Sequence, residues 1–209
     1  DQGLCKVSDT VSSVDNQNLG AITLRAAVGQ QDIALGAWHS LLDGIGFDDL
    51  PNSVVRFLPR IYLNLRSFPS VPEFNRIRGA YKLNWVKNVR LSVDAVKIFQ
   101  NLTKRHCSYL VIKGFAVGVL TKKLGARVLG DVDVVVRRGD IAQATDLLKG
   151  HGYRFRDENS PLGVRGLGAY ENDRGSIIDL HAFEFLPPWS PLSLARTSEV
   201  SLNQTQITI

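Results

Sequence analysis

Gly130-Asp131-Val132-Asp133-Val134-Val135-Val136 restricts this chain more than any other stretch, because two aspartates two residues apart open a run of valines. Valine is stiff at χ1 and favours the pleated, half-buried surface of a strand. Strand side chains alternate between faces, so the spacing predicts Asp131 and Asp133 on one face, with Val132 and Val134 pointing into a core. Two carboxylates held side by side at the start of a buried strand repel one another unless a cation sits between them. Hard divalent ions with oxygen shells, Mg²⁺ above all, suit such a pair. A turn leading into a strand, with two solvated aspartates, has the same local pattern. The flanking sequence decides between the two.

Upstream, Tyr109-Leu110-Val111-Ile112 is a short apolar run of strand character that ends at Lys113-Gly114. A helix-compatible segment, Phe115 to Leu124, follows, and Gly125 closes it. Strand, glycine and helix in that order bring backbone N–H groups and a helix N-terminus towards a bound anion. Lys113 adds a movable positive charge there, although a plain strand-to-helix turn with a surface lysine reads the same way. Downstream, Ser176 to His181 is a strand after the tight turn Asp173-Arg174-Gly175. Asp179 shares a face with Ile177 and His181. An ionisable residue in an apolar strand is costly to bury without compensation, and either a metal site or an ion pair with an arginine supplies it. Between these strands Asp140 is an N-cap candidate with Gln143 three residues on, an approximate capping box. Ile141, Ala144, Leu147 and Leu148 make the apolar stripe of that helix, and Gly150 stops it. With a short strand at Tyr153–Phe155 before the Asp179 hairpin, the order is that of a mixed α/β unit.

Together these motifs resemble the nucleotidyltransferase superfamily, with its polymerase-β-like palm, and more closely its minimal, poorly characterised bacterial branch. The hallmark there runs apolar strand, Lys-Gly, helix, Arg, DxD and later Asp-Leu-His. This chain has Ile112-Lys113-Gly114, Arg127, Gly130-Asp131-Val132-Asp133, Gly152-Tyr153 and Ile178-Asp179-Leu180-His181. The match covers roughly residues 107–185, with weaker similarity in the preceding helical segment and at Val200-Ser201-Leu202.

The resemblance implies an α/β (α+β) fold, a mixed sheet flanked by helices with a mainly helical N-terminal region. The catalytic core is expected at 106–185, after a helical region 1–105 whose segment 56–105 is basic. Residues 186–209 form a C-terminal extension, expected to be truncated because members of the branch often continue into further helices. The implied activity is metal-dependent transfer of a nucleoside monophosphate from an NTP such as ATP to an acceptor hydroxyl, with release of pyrophosphate. The acceptor is a peptide, a small molecule or an RNA. Asp131, Asp133 and Asp179 are the implied catalytic ligands of Mg²⁺ or Mn²⁺, and Lys113, Gly114, Arg127 and Gly130 the implied nucleotide and phosphate contacts. His181 either meets substrate or orients Asp179.

The usual Gly-Gly or Gly-Ser after the first strand is Gly114-Phe115 here, which omits a small residue or hydroxyl that normally meets the triphosphate. A non-catalytic module that binds nucleotide or RNA on the same fold is therefore the second reading. A sugar-nucleotide site is a third, and the lack of a dinucleotide-type βαβ unit ahead of the DxD argues against it.

The total charge of +5 hides an uneven distribution. Residues 56–105 carry Arg56, Arg60, Arg66, Arg76, Arg78, Lys82, Lys87, Arg90, Lys97, Lys104 and Arg105 against Glu73 and Asp94 alone. Such a block attracts polyanions by steering and counterion release. It equally suits a solvated helical face, with Trp85, Val89, Val93 and Val96 as the apolar stripe of a helix from about Asn75 to His106. Before it, Leu19 to Leu42 has apolar residues at helical spacing with interruptions expected at Gly29 and Gly36, then a break at Asp43-Gly44-Ile45-Gly46 and prolines at 51, 59, 69 and 72. Residues 157–168 read as a loop, and Leu186 to Pro191 ends regular structure. No apolar run is long enough for a membrane span, and the N-terminus lacks a signal-peptide pattern. Cys5 and Cys107 are far apart with no zinc-site spacing, so free thiols in a reducing cytoplasm are expected, Cys107 serving in packing.

Overall fold

Helices dominate the chain up to Lys104 and strands alternate with helices after it. The structure, a computed structural model, describes residues 16–156, 167–182, 199–202 and 205–209. Most of the expected loop at 157–168, the stop at 186–191 and Cys5 lie outside the described residues, while Gly168, at the loop's end, opens a strand. Two compact units divide between Ala80 and Tyr81, inside the longest helix rather than at its end near residue 105.

The first unit contains α1 (Asn16–Val28), α2 (Gln31–Ile45), α3 (Asn52–Val55) and α4 (Leu58–Leu65). Gly29 separates α1 from α2, since a side chain there would run into the Arg25 carbonyl. Gly36, expected as a second interruption, lies inside α2. A helical glycine costs only about 1 kcal/mol relative to alanine, and the burial of Ala34, Ala37, Trp38 and Leu41 outweighs it. Gly46, at φ 81°, ends α2 in a conformation that favours glycine. Pro59 stands in the first turn of α4, where its missing N–H leaves no bond unmade. Trp38 anchors this core with Leu41, Ile61, Leu65 and Ile77, and its indole N–H donates to the Pro72 carbonyl at 3.0 Å.

The second unit takes α5 (Phe74–Lys104) from Tyr81 onward, then β1 (Tyr109–Ile112), α6 (Lys113–Leu120), β2 (Val132–Val136), α7 (Ile141–Gly150), β3 (Arg154–Phe155), β4 (Gly168–Glu171), β5 (Ile177–Ala182), β6 (Glu199–Leu202) and β7 (Thr205–Thr208). A 3-10 turn, Leu124–Ala126, lies between α6 and β2. The main sheet has the order β1-β2-β5-β4-β3, and β6 and β7 form a separate hairpin. β2 and β5 run parallel and every other neighbouring pair is antiparallel. This is the mixed α/β architecture that the resemblance implies.

One face of the sheet carries Val132, Val134, Val136, Ile178, Leu180 and Ala182 into a core shared with α5, α6 and α7. Phe99 of α5 and Phe115 of α6 meet edge-on at its centre, with centroids 6.3 Å apart. The opposite face carries Asp133, Asp179 and His181.

Three local expectations are corrected. Only part of the expected α5 stripe is buried: Val96 lies in the core and Val89 is half-buried, but Trp85 and Val93 are exposed, and Asn84, Asn88, Leu91, Ser92, Ala95 and Phe99 face inward. Asp140 stands at the N-cap of α7 but makes no capping bond, because a 3-10 turn (Arg138–Asp140) leads into the helix and holds it in helical conformation. Gln143 accepts the Cys107 thiol at 2.9 Å instead of closing a capping box. The helix after β1 begins at Lys113 and ends at Leu120, with Lys122 in a left-handed turn. No helix among the described residues is long and apolar enough to cross a membrane.

Candidate active site

Parallel pairing of β2 with β5 sets Asp133 directly opposite Asp179, and His181 follows two residues later on the same face. Asp133 is almost fully buried, 4% exposed, so its charge needs partners. It has two. The Lys113 ammonium donates to Oδ1 at 2.5 Å, and His181 Nε2 bonds the same oxygen at 3.1 Å. His181 Nε2 also lies 3.1 Å from Asp179 Oδ2, so one imidazole bridges both carboxylates.

Electrostatics follow this geometry. Burial alone would raise the Asp133 carboxyl, but hydrogen bonds from His181 and Lys113, reinforced by their charges, hold it below the usual carboxylate range. The bonds to Asp133 and Asp179 push His181 up to about 9 against the opposing effect of burial. Burial pulls the Lys113 ammonium down, and Asp133, with the charges of Asp179 and Asp131, more than reverses it.

Asp131 lies one residue before β2 and is exposed, unlike the buried Asp133. Partial burial and the neighbouring charges of Asp133 and Asp179 raise its carboxyl, so it remains within electrostatic reach of the pair.

Lys113 reaches Asp133 through a bend in its own backbone. Ile112 is the register partner of Asp133 across β1 and β2, and Lys113 takes φ 57°, a left-handed conformation uncommon for a residue with a side chain. Gly114 follows because there is no room for more: a Cβ there would lie 3.1 Å from Leu129 Cδ2 and 3.3 Å from Arg127 Nε. The Arg127 guanidinium thus stands over Gly114, at the start of α6 and beside Lys113. Phe115 points the other way, into the core, 1% exposed against Phe99. The aromatic ring that replaces the usual small residue therefore leaves the site face clear. Gly130 is exposed, with open space around its α-carbon.

The donor atoms of Asp133, Asp179 and His181 lie within 4.8 Å of one another. Two carboxylates and one imidazole fit a divalent cation. The nitrogen ligand suits Mn²⁺ at least as well as Mg²⁺, which prefers oxygen throughout. Asp131 lies outside this group of three.

A profile described as an uncharacterised nucleotidyltransferase matches residues 54–209, three quarters of the chain. The chain belongs to that family. Among solved structures this nucleotidyltransferase-family chain is similar to an antigenic nucleotidyltransferase-like protein from Paracoccidioides brasiliensis, with 19% identity and a TM-score of 0.42. The similarity covers 57% of this chain and 59% of that one. No curated protein matches the chain.

Sequence reasoning missed two polar residues of the nucleotidyltransferase unit, Asn84 and Asn88 of α5, which donate to the backbone carbonyls of Leu124, Gly125 and Arg127. Their only sequence signal is a pair of asparagines four apart in a long helix, where asparagine is a poor helix former.

Proposed function

We propose that this chain is a metal-dependent nucleotidyltransferase that moves a nucleoside monophosphate from an NTP to an acceptor hydroxyl. The observation that carries this reading is the register of Asp133 against Asp179 with His181 between them, beside a cationic corner of Lys113, Arg127 and the start of α6. Asp133, Asp179 and His181 hold the cation, and Asp131 adds negative charge at the rim. A divalent cation held there, Mg²⁺ or Mn²⁺, would supply positive charge against the triphosphate and the oxygens that gain charge during transfer.

Lys113, ion-paired to Asp133, is placed where it would reach a bound triphosphate. With Arg127 and the backbone N–H groups of the α6 N-terminus, it meets charge developing on the phosphates. The acceptor oxygen attacks the α-phosphorus in line, the bond from that phosphorus to the bridging oxygen breaks, and pyrophosphate leaves. Asp179 polarises the acceptor hydroxyl. The acceptor is a peptide, a small molecule or an RNA, and the basic residues of α5 favour an anionic one.

Thermal stability measured against each NTP, with and without Mg²⁺ or Mn²⁺, tests this for the wild-type chain and Asp133→Asn. A shift that needs both NTP and metal and vanishes in the variant supports the reading. A metal-independent shift, or RNA binding that weakens steeply with salt and shows no turnover, would move the assignment to a non-catalytic nucleotide- or RNA-binding module.

A further inference from the structure

The 3-10 turn Leu124–Ala126 ends just before Arg127, and so short a turn leaves its carbonyls without partners of their own. Two side chains from one face of α5 supply them. Asn84 Nδ2 donates to the Gly125 carbonyl at 2.9 Å and to the Arg127 carbonyl at 2.9 Å. Asn88, one helical turn later, donates from Nδ2 to the Leu124 carbonyl at 2.5 Å and to the same Arg127 carbonyl at 2.8 Å. Arg127 is thus held through its backbone by both amides while its guanidinium covers Gly114.

Close packing fixes the other side of the turn. A methyl group on Gly125 would lie 2.7 Å from Tyr81 Cε2 and 3.1 Å from Trp85 Cβ. Both asparagines are buried, and among the described residues Asn88 Oδ1 has no hydrogen-bond partner. A buried carbonyl oxygen left without a donor is destabilising. The Asn88 amide therefore serves the turn at the expense of its own oxygen, and stability alone does not explain the arrangement.

We propose that Asn84 and Asn88 are positioning residues for nucleotide binding: they pin the turn before β2 so that Arg127 is presented to the triphosphate at the start of α6. The proposal rests on the nucleotidyltransferase reading of the same site. The asparagines act through Arg127 and not through the cation ligands, which sit on β2 and β5.

The test measures two affinities by calorimetry, that of inorganic triphosphate in saturating Mg²⁺ and that of Mn²⁺ alone. The chains are wild type, Asn84→Leu, Arg127→Ala and the double variant Asn84→Leu/Arg127→Ala. The expected result is about a tenfold loss of triphosphate affinity in Asn84→Leu, the scale of one charge-assisted contact. Mn²⁺ affinity stays unchanged, and the double variant is no weaker than Arg127→Ala. General disruption of the fold would lower both affinities together and would overturn the proposal. So would additive losses, or wild-type triphosphate affinity in Asn84→Leu. Should Asn84→Leu fail to fold, Asn84→Ser, whose hydroxyl is too short to span the gap, takes its place with the same readouts. A wild-type chain that binds no magnesium triphosphate overturns the nucleotide reading itself and this proposal with it. Wild-type binding with an unaffected variant overturns the positioning role alone.

Discussion

Asp133 and Asp179 are register partners on adjacent parallel strands, and one His181 nitrogen lies 3.1 Å from a carboxylate oxygen of each. The like charges that would drive two strands apart are thereby made into a single anionic seat, neutralised from within by an imidazolium and an ammonium.

That arrangement separates the two aspartates of the DxD by their effect on stability. Asp133→Asn leaves Lys113 and His181 facing a neutral amide in place of their shared carboxylate and is expected to destabilise the metal-free chain by about 1–3 kcal/mol. Asp131→Asn removes an exposed charge that is repelled by Asp133 and Asp179, so its melting temperature should equal or slightly exceed that of wild type. Asp133→Asn should lose the NTP- and metal-dependent thermal shift, and Asp131→Asn should only reduce it. Urea unfolding of the three chains in chelator reads the stability order directly, and equal destabilisation by the two variants would contradict it.

His181 carries a raised folded-state value near 9 against an ordinary value of 6.5. Its bridge therefore contributes fully below pH 6.5 and is lost as pH rises through about 9. Metal-free wild-type protein should weaken across that window more than His181→Gln does. Nuclear magnetic resonance of the imidazole should place its titration well above neutrality, and Mn²⁺ or Mg²⁺ should favour the neutral ring and lower it. A midpoint near 6.5 would rule out the bridge.

The backbone of Lys113 offers a second separation of effects. Alanine at this position keeps the left-handed strain and loses the ammonium, whereas glycine loses the ammonium and relieves the strain. Lys113→Gly is thus expected to be more stable than Lys113→Ala by about 1 kcal/mol, with triphosphate binding weakened equally in both. Denaturant midpoints and calorimetry check the two halves independently.

Glycines near the site should respond unequally to alanine. At Gly125 the new methyl meets the Tyr81 ring at 2.7 Å, and overpacking of this kind costs about 1–3 kcal/mol. At Gly130 nothing lies within 4 Å, so Gly130→Ala should leave the melting temperature close to that of wild type. Similar melting temperatures for the two variants would argue against the close approach of α5 to the turn.

Strand periodicity made the face that bears Asp133, Asp179 and His181 legible in the sequence, because alternation is a local property that a few residues reveal. The Lys-Gly break, the helix after it and the turn at Asp173-Arg174-Gly175 were legible for the same reason. The exposure of Asp131 was not, since β2 begins at Val132 and burial at a strand end depends on what packs beside it. The inward face of α5 was misread because it carries polar residues. Asn84 and Asn88 find their acceptors 36 to 43 residues along the chain, and a local count of apolar spacing favours Trp85 and Val93 instead. The αR entry that displaces the capping role of Asp140 likewise depends on the turn before it.

Parallel strands cannot be joined by a tight turn, so the chain leaves β2, runs through α7, β3 and β4, and only then lays β5 alongside. A nascent chain that has finished α7 already exposes Asp133 and Lys113 but has nothing to set opposite them. The trio of Asp133, Asp179 and His181 is completed by the last strand in chain order of the main sheet, so any cation binding by that trio would report when folding of this unit is finished.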